Sequence, residues 1–169
     1  MANNVYDTFR EFFSQQKSNF QEASIPAKVL REAAIFSAGE VKDRVQQKGV
    51  KSDGTSLPPY STKPFARPSG IRGTGKYKKY PGGYKEFRES HKRQTKHMDL
   101  TLSGDMIDKS WRPKPIDNQS YGVAFVSPQM AERAGFHEAR FGPIFELTAQ
   151  EEKDALQTIN TNAIKYLER

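Results

Sequence analysis

Hydrophobic residues recur at helical spacing near the two ends of the chain and lose that spacing in the middle. Residues 4–20 carry one apolar stripe at intervals close to one or two helical turns, which predicts an amphipathic helix. Such a stripe usually covers a hydrophobic core, but a helix that docks on a partner has the same pattern. The stripe consists of Val5, Phe9, Phe12, Phe13 and Phe20.

A second helix is predicted over about residues 25–48. Ser24 suits the N-cap, and Pro26 is tolerated in a first turn because its missing N–H would have no partner there. Gly49 is a suitable residue to end this helix, because glycine readily adopts the left-handed conformation. The apolar stripe of the helix is Leu30, Ala34, Ala38, Val41 and Val45.

The middle of the chain has no periodicity and is rich in glycine, proline and lysine. Residues 49–83 hold 12 of the 22 Gly and Pro residues, a composition that favours loops and extended backbone. We therefore expect a basic extended loop or arm over residues 50–97, outside the compact core. Residues 83–96 can form a short charged helix, and we expect it to be exposed because it has few apolar residues.

Strand patterns appear in the last third of the chain. A turn at residues 99–104 predicts a following strand over about residues 106–111. Residues 119–126 alternate large and small apolar side chains, which predicts a second strand that pairs with the first in a small antiparallel sheet. One or two helical turns are predicted at residues 128–134, and Gly135 is predicted to end them before a turn and a short extended piece.

The last element is a helix that begins with a capping box. The Thr148 hydroxyl can accept a hydrogen bond from the Glu151 N–H, while the Glu151 carboxylate can accept one from the Thr148 N–H. The predicted fold class is therefore α+β, with two N-terminal helices, a long basic loop, a small antiparallel sheet and a C-terminal helix. We expect a single domain over residues 1–169, with its core formed by residues 4–49 and 98–168.

Composition narrows the chemistry that this chain can perform. The sequence has no Cys, which excludes disulfides, thiolate metal sites, iron–sulfur clusters and Cys nucleophiles. It has only three His, so a metal site with several His ligands would need nearly all of them. No apolar run approaches the roughly 18 residues of a membrane span. The first residues lack the basic and then apolar pattern of a signal peptide, so we expect neither a signal peptide nor a membrane partner.

The net charge of +7 comes from one segment of the chain. Residues 51–96 hold 12 of the 27 Lys and Arg residues but only 3 of the 20 Asp and Glu residues. Such a segment is typical of a nucleic-acid contact, a contact with an acidic partner, or a solvated loop. The candidate DNA or partner contacts are Arg72, Lys76, Tyr77, Lys78, Lys79, Tyr80, Lys85, Arg88, Lys92 and Arg93.

The sequence motifs do not support an enzyme. Residues 70–77 nearly match a phosphate-binding loop, but Tyr77 stands where a Ser or Thr would bind magnesium. A metal site would have to be assembled among lysines and arginines that repel a cation, so a magnesium nuclease is only a minor alternative. We expect no catalytic site, no metal and no cofactor. The residues for such a metal site would be His91, His97, Asp99, Asp105 and Asp108.

Four short motifs follow one another along the chain. They are Asp-Gly-Thr and then Leu-Pro-Pro-Tyr-Ser-Thr within residues 53–62, Leu-Thr-Leu-Ser-Gly-Asp-Met-Ile-Asp-Lys-Ser at residues 100–110, Ala-Gly-Phe-His-Glu at residues 134–138, and Arg-Phe-Gly-Pro-Ile-Phe-Glu-Leu-Thr at residues 140–148. In this order they resemble the virion morphogenesis proteins of tailed bacteriophages, which act in tail completion and head–tail joining. The matching structural residues are Gly54, Leu102, Ser103, Gly104, Met106, Ser110, Thr148 and Glu151.

The resemblance implies a structural protein without enzymatic activity. Such a protein would lie in the neck of the virion, after assembly in the cytoplasm of the host bacterium, as a ring of about six or twelve copies. Its partners would be other copies of itself and the portal, adaptor, tail-terminator or tail-tube proteins, and genomic DNA would pass through the channel. The alternative function is a DNA-binding module without sequence preference that uses residues 51–96.

Overall fold

The computed structural model describes residues 25–68, 75–117 and 120–167. The helix predicted over residues 4–20 and the candidate contact Arg72 lie outside the described residues. The described elements are α1 (Ala27–Asp43), a π-helical turn (Arg44–Lys48), β1 (Phe65–Pro68), β2 (Tyr77–Tyr80), α2 (Gly83–Ser90), a second π-helical turn (Asp105–Ser110), β3 (Trp111–Asp117), β4 (Ser120–Phe125), α3 (Pro128–Phe141) and α4 (Ala149–Leu167). This mixture of helices with two small antiparallel sheets is compatible with the α+β class.

Helix α1 forms where the second helix was predicted. It begins at Ala27 rather than residue 25, because Pro26, with an extended ψ of 135°, is its N-cap. Ser24, the predicted N-cap, lies outside the described residues. The last turn widens into the first π-helical turn and ends at Gly49, as predicted. Gly49 has a φ of 64°, and a Cβ atom there would lie 2.4 Å from the ring of His97. Only glycine therefore fits this position without moving its neighbour.

The main hydrophobic core lies between α1, the β3–β4 hairpin, α3 and residues 144–145, whereas α4 packs on α1 in a second cluster through Ile159. Trp111 pairs with Phe125 at the open end of the hairpin, where their rings lie 4.8 Å apart. Tyr121 lies near the other end of the hairpin and packs beside the first turns of α1, against Val29, Leu30 and Ala33. Helix α1 therefore runs along the hairpin, with its first residue near the hairpin turn and its last residue near the open end.

The strand predicted over residues 106–111 is wrong for most of its length. Residues Asp105–Ser110 form the second π-helical turn, and the strand β3 begins only at Trp111. Gly104 has a φ of 80°, and its carbonyl accepts a hydrogen bond from the Lys109 N–H at 3.0 Å, which closes the turn. The second predicted strand is confirmed as β4, and the two strands pair antiparallel.

The prediction that Gly135 ends a short helix is also wrong. Helix α3 continues through Gly135 to Phe141. Gly135 lies on the exposed face of the helix with nothing near its Cβ position, so the helical conformation costs this glycine only modest entropy. Glu138, which the prediction placed in a turn, accepts hydrogen bonds from the N–H groups of Ile144 and Phe145 after the helix.

The capping box at the start of α4 is confirmed. The Glu151 N–H donates to the Thr148 hydroxyl at 3.1 Å, and the Thr148 N–H donates to the Glu151 carboxylate at 2.7 Å. The same carboxylate accepts a hydrogen bond from Arg44 Nε at 2.8 Å, and both side chains are buried. The cap therefore also ties α4 to the end of α1.

Candidate functional site

The basic segment is folded onto itself by a cluster of aromatic rings. Phe65 of β1 stacks on Tyr80 of β2 at 5.4 Å, and Tyr80 meets Phe87 of α2 edge-on at 5.2 Å. Tyr84 joins this cluster to Tyr60, with 5.6 Å between the ring centroids. Residues 50–97 therefore contain a β-hairpin and a helix, where the sequence predicted an extended loop.

Arg88 lies beneath this cluster and is nearly fully buried, with an exposed fraction of 1%. Its Nη2 donates to the Asp99 carboxylate at 2.7 Å, its Nε donates to the Gln94 carbonyl at 2.9 Å, and its Nη1 donates to the Thr101 carbonyl. The guanidinium carbon lies 4.3 Å from the centre of the Tyr60 ring. The helix predicted over residues 83–96 was expected to be exposed. This expectation is wrong for the inner face of α2, where Phe87 and Arg88 are buried.

Tyr60 completes the buried network around Asp99. The Tyr60 hydroxyl donates to Asp99 Oδ1 at 2.7 Å and accepts from the Asp99 N–H at 3.0 Å. Burial raises the pKa of Tyr60, and the neighbouring carboxylate also favours the protonated form. Two of the candidate contacts, Arg88 and Tyr80, are thus directed inward, and their side chains serve packing in this structure.

The other described candidates form an exposed basic surface. Its members are side chains of the β1–β2 hairpin, of α2 and of the turn after α2. The hairpin strands carry no acidic residue in residues 65–68 or 77–80. Lys78 lies over the Tyr80 ring, with its Nζ 5.2 Å from the ring centre, and Tyr77 is 63% exposed. We define the basic surface as Arg67, Lys76, Tyr77, Lys78, Lys79, Lys85, Lys92 and Arg93.

An open groove lies beside this surface, between α3 and residues 98–106. It has a volume of about 460 Å³, and residues 58–61 also line it. Arg133, His137 and Arg140 of α3 also line the groove and carry polar groups along one face of that helix. Its apolar lining comprises Met98, Leu100, Leu102, Met106, Met130 and Phe141.

His137 is a half-buried member of this groove. Its ring stacks on Phe141, with 6.1 Å between ring centroids and an interplanar angle of 17°. Burial lowers the pKa of His137, and the positive charge of Arg140 lowers it further. The side chain is therefore neutral near pH 7, where it adds to the apolar character of the groove.

The motif residues that carry the family resemblance have structural roles. Leu102 and Met106 line the groove, while Gly104 forms the turn between them. The Ser110 hydroxyl accepts a hydrogen bond from the Ser127 N–H at 2.9 Å, which joins the end of the π-helical turn to the start of α3. Gly54 follows Asp53 in a tight turn with a φ of 81°.

The side chains considered for a metal site have other partners. Asp99 pairs with Arg88, Asp108 pairs with Lys42 at 2.7 Å, and Asp105 pairs with Lys109 at 2.6 Å. Within residues 25–68, 75–117 and 120–167, no three His, Asp or Glu side chains lie close enough together to hold a metal ion.

No helix in the described part of the chain is both long enough and apolar enough to cross a membrane.

A scan against protein-family models, a search of curated proteins and a search of solved structures each found no match to this chain.

Proposed function

We propose that this chain is a non-enzymatic structural protein of a tailed-bacteriophage virion. It acts in the neck, where it completes the tail or joins it to the head, as one copy of a ring between portal and tail. The order of the sequence motifs supports this function, because their residues have structural roles. They form a turn, the hydrogen bond between Ser110 and Ser127 at the start of α3, and the cap of α4, rather than a reactive centre. In this proposal, residues 4–20 form a second front helix before α1.

The observation that carries the proposal is the open groove with its apolar lining. This groove of about 460 Å³ is lined by mostly half-buried methionine, leucine and phenylalanine side chains, and concave apolar sites of this kind are typical places for a partner to bind. Val126, just before α3, and Phe136, within α3, are also apolar and solvent-exposed, with exposed fractions of 57% and 67%. A protein that binds its own copies and neighbouring neck proteins needs surfaces of this kind.

The basic surface has a matching role in this proposal. It presents lysine, arginine and tyrosine side chains on a hairpin that is held in place by the aromatic cluster. In a ring, it lies toward the channel, where genomic DNA passes, and its contacts go to phosphate groups without sequence preference.

The test of this function is the mass of the purified full chain, measured by light scattering after size-exclusion chromatography over a series of concentrations. We expect one discrete oligomer with a constant copy number, in keeping with a closed ring. A monomer at every concentration would contradict the proposal, as would a mass that keeps growing with concentration.

The second candidate function is a DNA-binding module, and the basic surface is the observation that favours it. Labelled duplex DNA, incubated with the nuclease-treated protein and magnesium at about 50 and 200 mM salt, separates the two functions. A neck protein should bind weakly, and its affinity should fall by roughly three or more decades between these salts for several phosphate contacts. Tight binding at the higher salt favours the DNA-binding module, and cut DNA indicates a nuclease.

A further inference from the structure

Helix α3 presents a straight stripe of side chains to the groove. The stripe spans about 16 Å along the helix axis, which is the length of a helix of three turns. A linear surface of this kind suits a partner segment that lies beside α3 as a helix. The side chains of the stripe lie on one face of α3, and they are Met130, Arg133, His137, Arg140 and Phe141.

Two exposed arginines give this stripe its charge. Arg133 and Arg140 are seven positions apart, so they lie two helical turns, or about 10 Å, apart along α3. Neither forms a salt bridge with any described residue. The Arg140 guanidinium lies over the ring of Phe141, 5.1 Å from its centre. Both arginines therefore retain N–H donors for the carboxylates of a partner.

The groove itself does not neutralise these two charges. Among the described residues of the lining, Asp105 alone is acidic, and it accepts hydrogen bonds from Lys109 and from the Ser103 hydroxyl, both at 2.6 Å. His137, between the two arginines, is half-buried and neutral near pH 7. A partner with acidic side chains would therefore complement the charge of this wall.

The apolar lining favours a protein segment over a nucleic acid. Three of the four methionines of the chain, Met98, Met106 and Met130, line the groove. Methionine side chains are flexible and polarisable, so they adapt to the shape of an apolar partner. A nucleic acid would bring phosphate groups to these side chains, whereas the basic surface offers Lys, Arg and Tyr for that purpose.

The volume of the groove indicates how much of a partner helix enters it. A helix of three turns is a cylinder about 10 Å wide and 16 Å long, with a volume of roughly 1,250 Å³. The groove has about 460 Å³, so it takes only one face of such a helix. That face must be apolar to match the lining, and the acidic residues must lie along its edge beside α3.

We infer that the groove binds an amphipathic helix of a partner protein, with two acidic residues about two turns apart beside its apolar stripe. The apolar stripe enters the groove, and the two carboxylates pair with Arg133 and Arg140. This inference rests on the proposed function, since it gives the chemistry by which a neighbouring neck protein binds.

Selection from a display library of random peptides tests the inference without a known partner. The peptides have about 16 residues, which is enough for three helical turns, and the immobilised full chain is the bait. We expect the selected peptides to have apolar residues at helical spacing, flanked by Asp or Glu residues seven positions apart. Selected peptides without the acidic pair, or no selection above the bare support, would overturn the inference.

Charge reversal then locates the binding site of one selected peptide, whose dissociation constant is measured by fluorescence anisotropy. Arg133→Glu with Arg140→Glu should raise this constant at least tenfold. The matched control is Lys76→Glu with Lys79→Glu, which makes the same change in charge on the basic surface and should alter the constant by less than about threefold. The melting temperatures of both variants should stay close to that of the wild type, because all four side chains are exposed.

A peptide with lysine in place of its two acidic residues provides the reciprocal test. It should bind the variant Arg133→Glu with Arg140→Glu at least tenfold more tightly than it binds the wild type. Equal losses of the original peptide in both double variants would assign its binding to net charge and overturn the inference. A chain that forms rings but fails these tests would refute this inference alone, whereas a chain that is monomeric at every concentration would contradict the proposed function.

Discussion

The Arg88 guanidinium and the Asp99 carboxylate form a 2.7 Å ion pair that is almost completely buried, although Arg88 lies in the most basic part of the sequence. The pair joins α2 to the segment that lines the groove, and Tyr60, which also lines the groove, donates a hydrogen bond to the same carboxylate. The order of the basic segment and the shape of the groove therefore depend on the same interaction.

Arg88→Leu should destabilise the protein by about 3–5 kcal/mol, because it leaves the Asp99 charge buried without its partner. The measurement is the free energy of unfolding in urea. Lys85→Leu removes a positive charge from an exposed position of the same helix and should change this free energy by less than about 0.5 kcal/mol. Equal effects of the two substitutions would contradict the buried pair.

The capping box predicts a ranking of two substitutions at the start of α4. Thr148→Ala removes one cap hydrogen bond and should cost about 1 kcal/mol of folding free energy. Glu151→Ala should cost about 3–5 kcal/mol, because it also leaves the buried Arg44 without its carboxylate. Thermal unfolding of both variants provides the comparison, and the reverse order would show that the ion pair contributes little.

Two glycines should respond in opposite ways to alanine. Gly104→Ala should destabilise the protein by more than about 1 kcal/mol, since its φ is 80° and the new Cβ would lie 2.7 Å from the Asp108 carboxylate. Gly39 is within α1 and has nothing within 4 Å of its Cβ position. Gly39→Ala should therefore stabilise the protein by about 0.4–1 kcal/mol. Chemical denaturation measures both, and stabilisation by Gly104→Ala would contradict the described turn.

Asp108 should contribute to the loss of stability in acid. Burial acts to raise the pKa of Asp108, but hydrogen bonds from Lys42 and Gln46 and the charge of Lys42 outweigh it, so the pKa is lowered. The unfolded state then binds a proton more readily than the folded state, and stability falls as the pH drops from about 3.9 through the folded pKa. The side chains of Lys42 and Asp108 are both more than a third exposed. The pair therefore contributes only about 0.2–1 kcal/mol to the free energy of unfolding.

The variant Asp108→Asn checks this acid dependence. Its free energy of unfolding should be lower than that of the wild type at pH 7, and the difference should shrink as the pH falls below 4. A difference that is constant with pH would assign the effect to the lost hydrogen bonds rather than to the charge.

The basic surface should control the salt dependence of any DNA binding. Lys78→Ala and Lys79→Ala each remove one exposed positive charge from β2, so each should lower the slope of log affinity against log salt by about 0.9 if that lysine contacts a phosphate. The melting temperature should not change in Lys79→Ala, because this side chain is exposed. It should fall only slightly in Lys78→Ala, which also removes the contact with the Tyr80 ring. Unchanged slopes in both variants would mean that the DNA contact lies elsewhere.

Local patterns in the sequence predicted the parts of the fold that depend on neighbouring residues. The apolar stripe of α1, its end at Gly49 and the capping box at Thr148 are all confirmed. Each of these signals is contained within a few helical turns, so neighbouring residues suffice to specify it.

Contacts between distant residues explain what the sequence did not predict. Arg88 was expected to be exposed because its neighbours are charged, whereas its burial depends on Asp99 and Tyr60, which lie 11 and 28 residues away along the chain. The groove combines residues from four segments, and none of them alone has a binding pattern. The concentration of methionine in Met98, Met106 and Met130 was the one signal in the sequence that could have indicated it.

Electron microscopy of the negatively stained full chain distinguishes a closed ring from any other oligomer of the same mass, because image averages show the symmetry of the particles and any central channel. The proposed function predicts annular particles with one rotational symmetry and an open channel. Compact particles without a channel, open filaments, or single copies at concentrations well above the measured dissociation constant would contradict it.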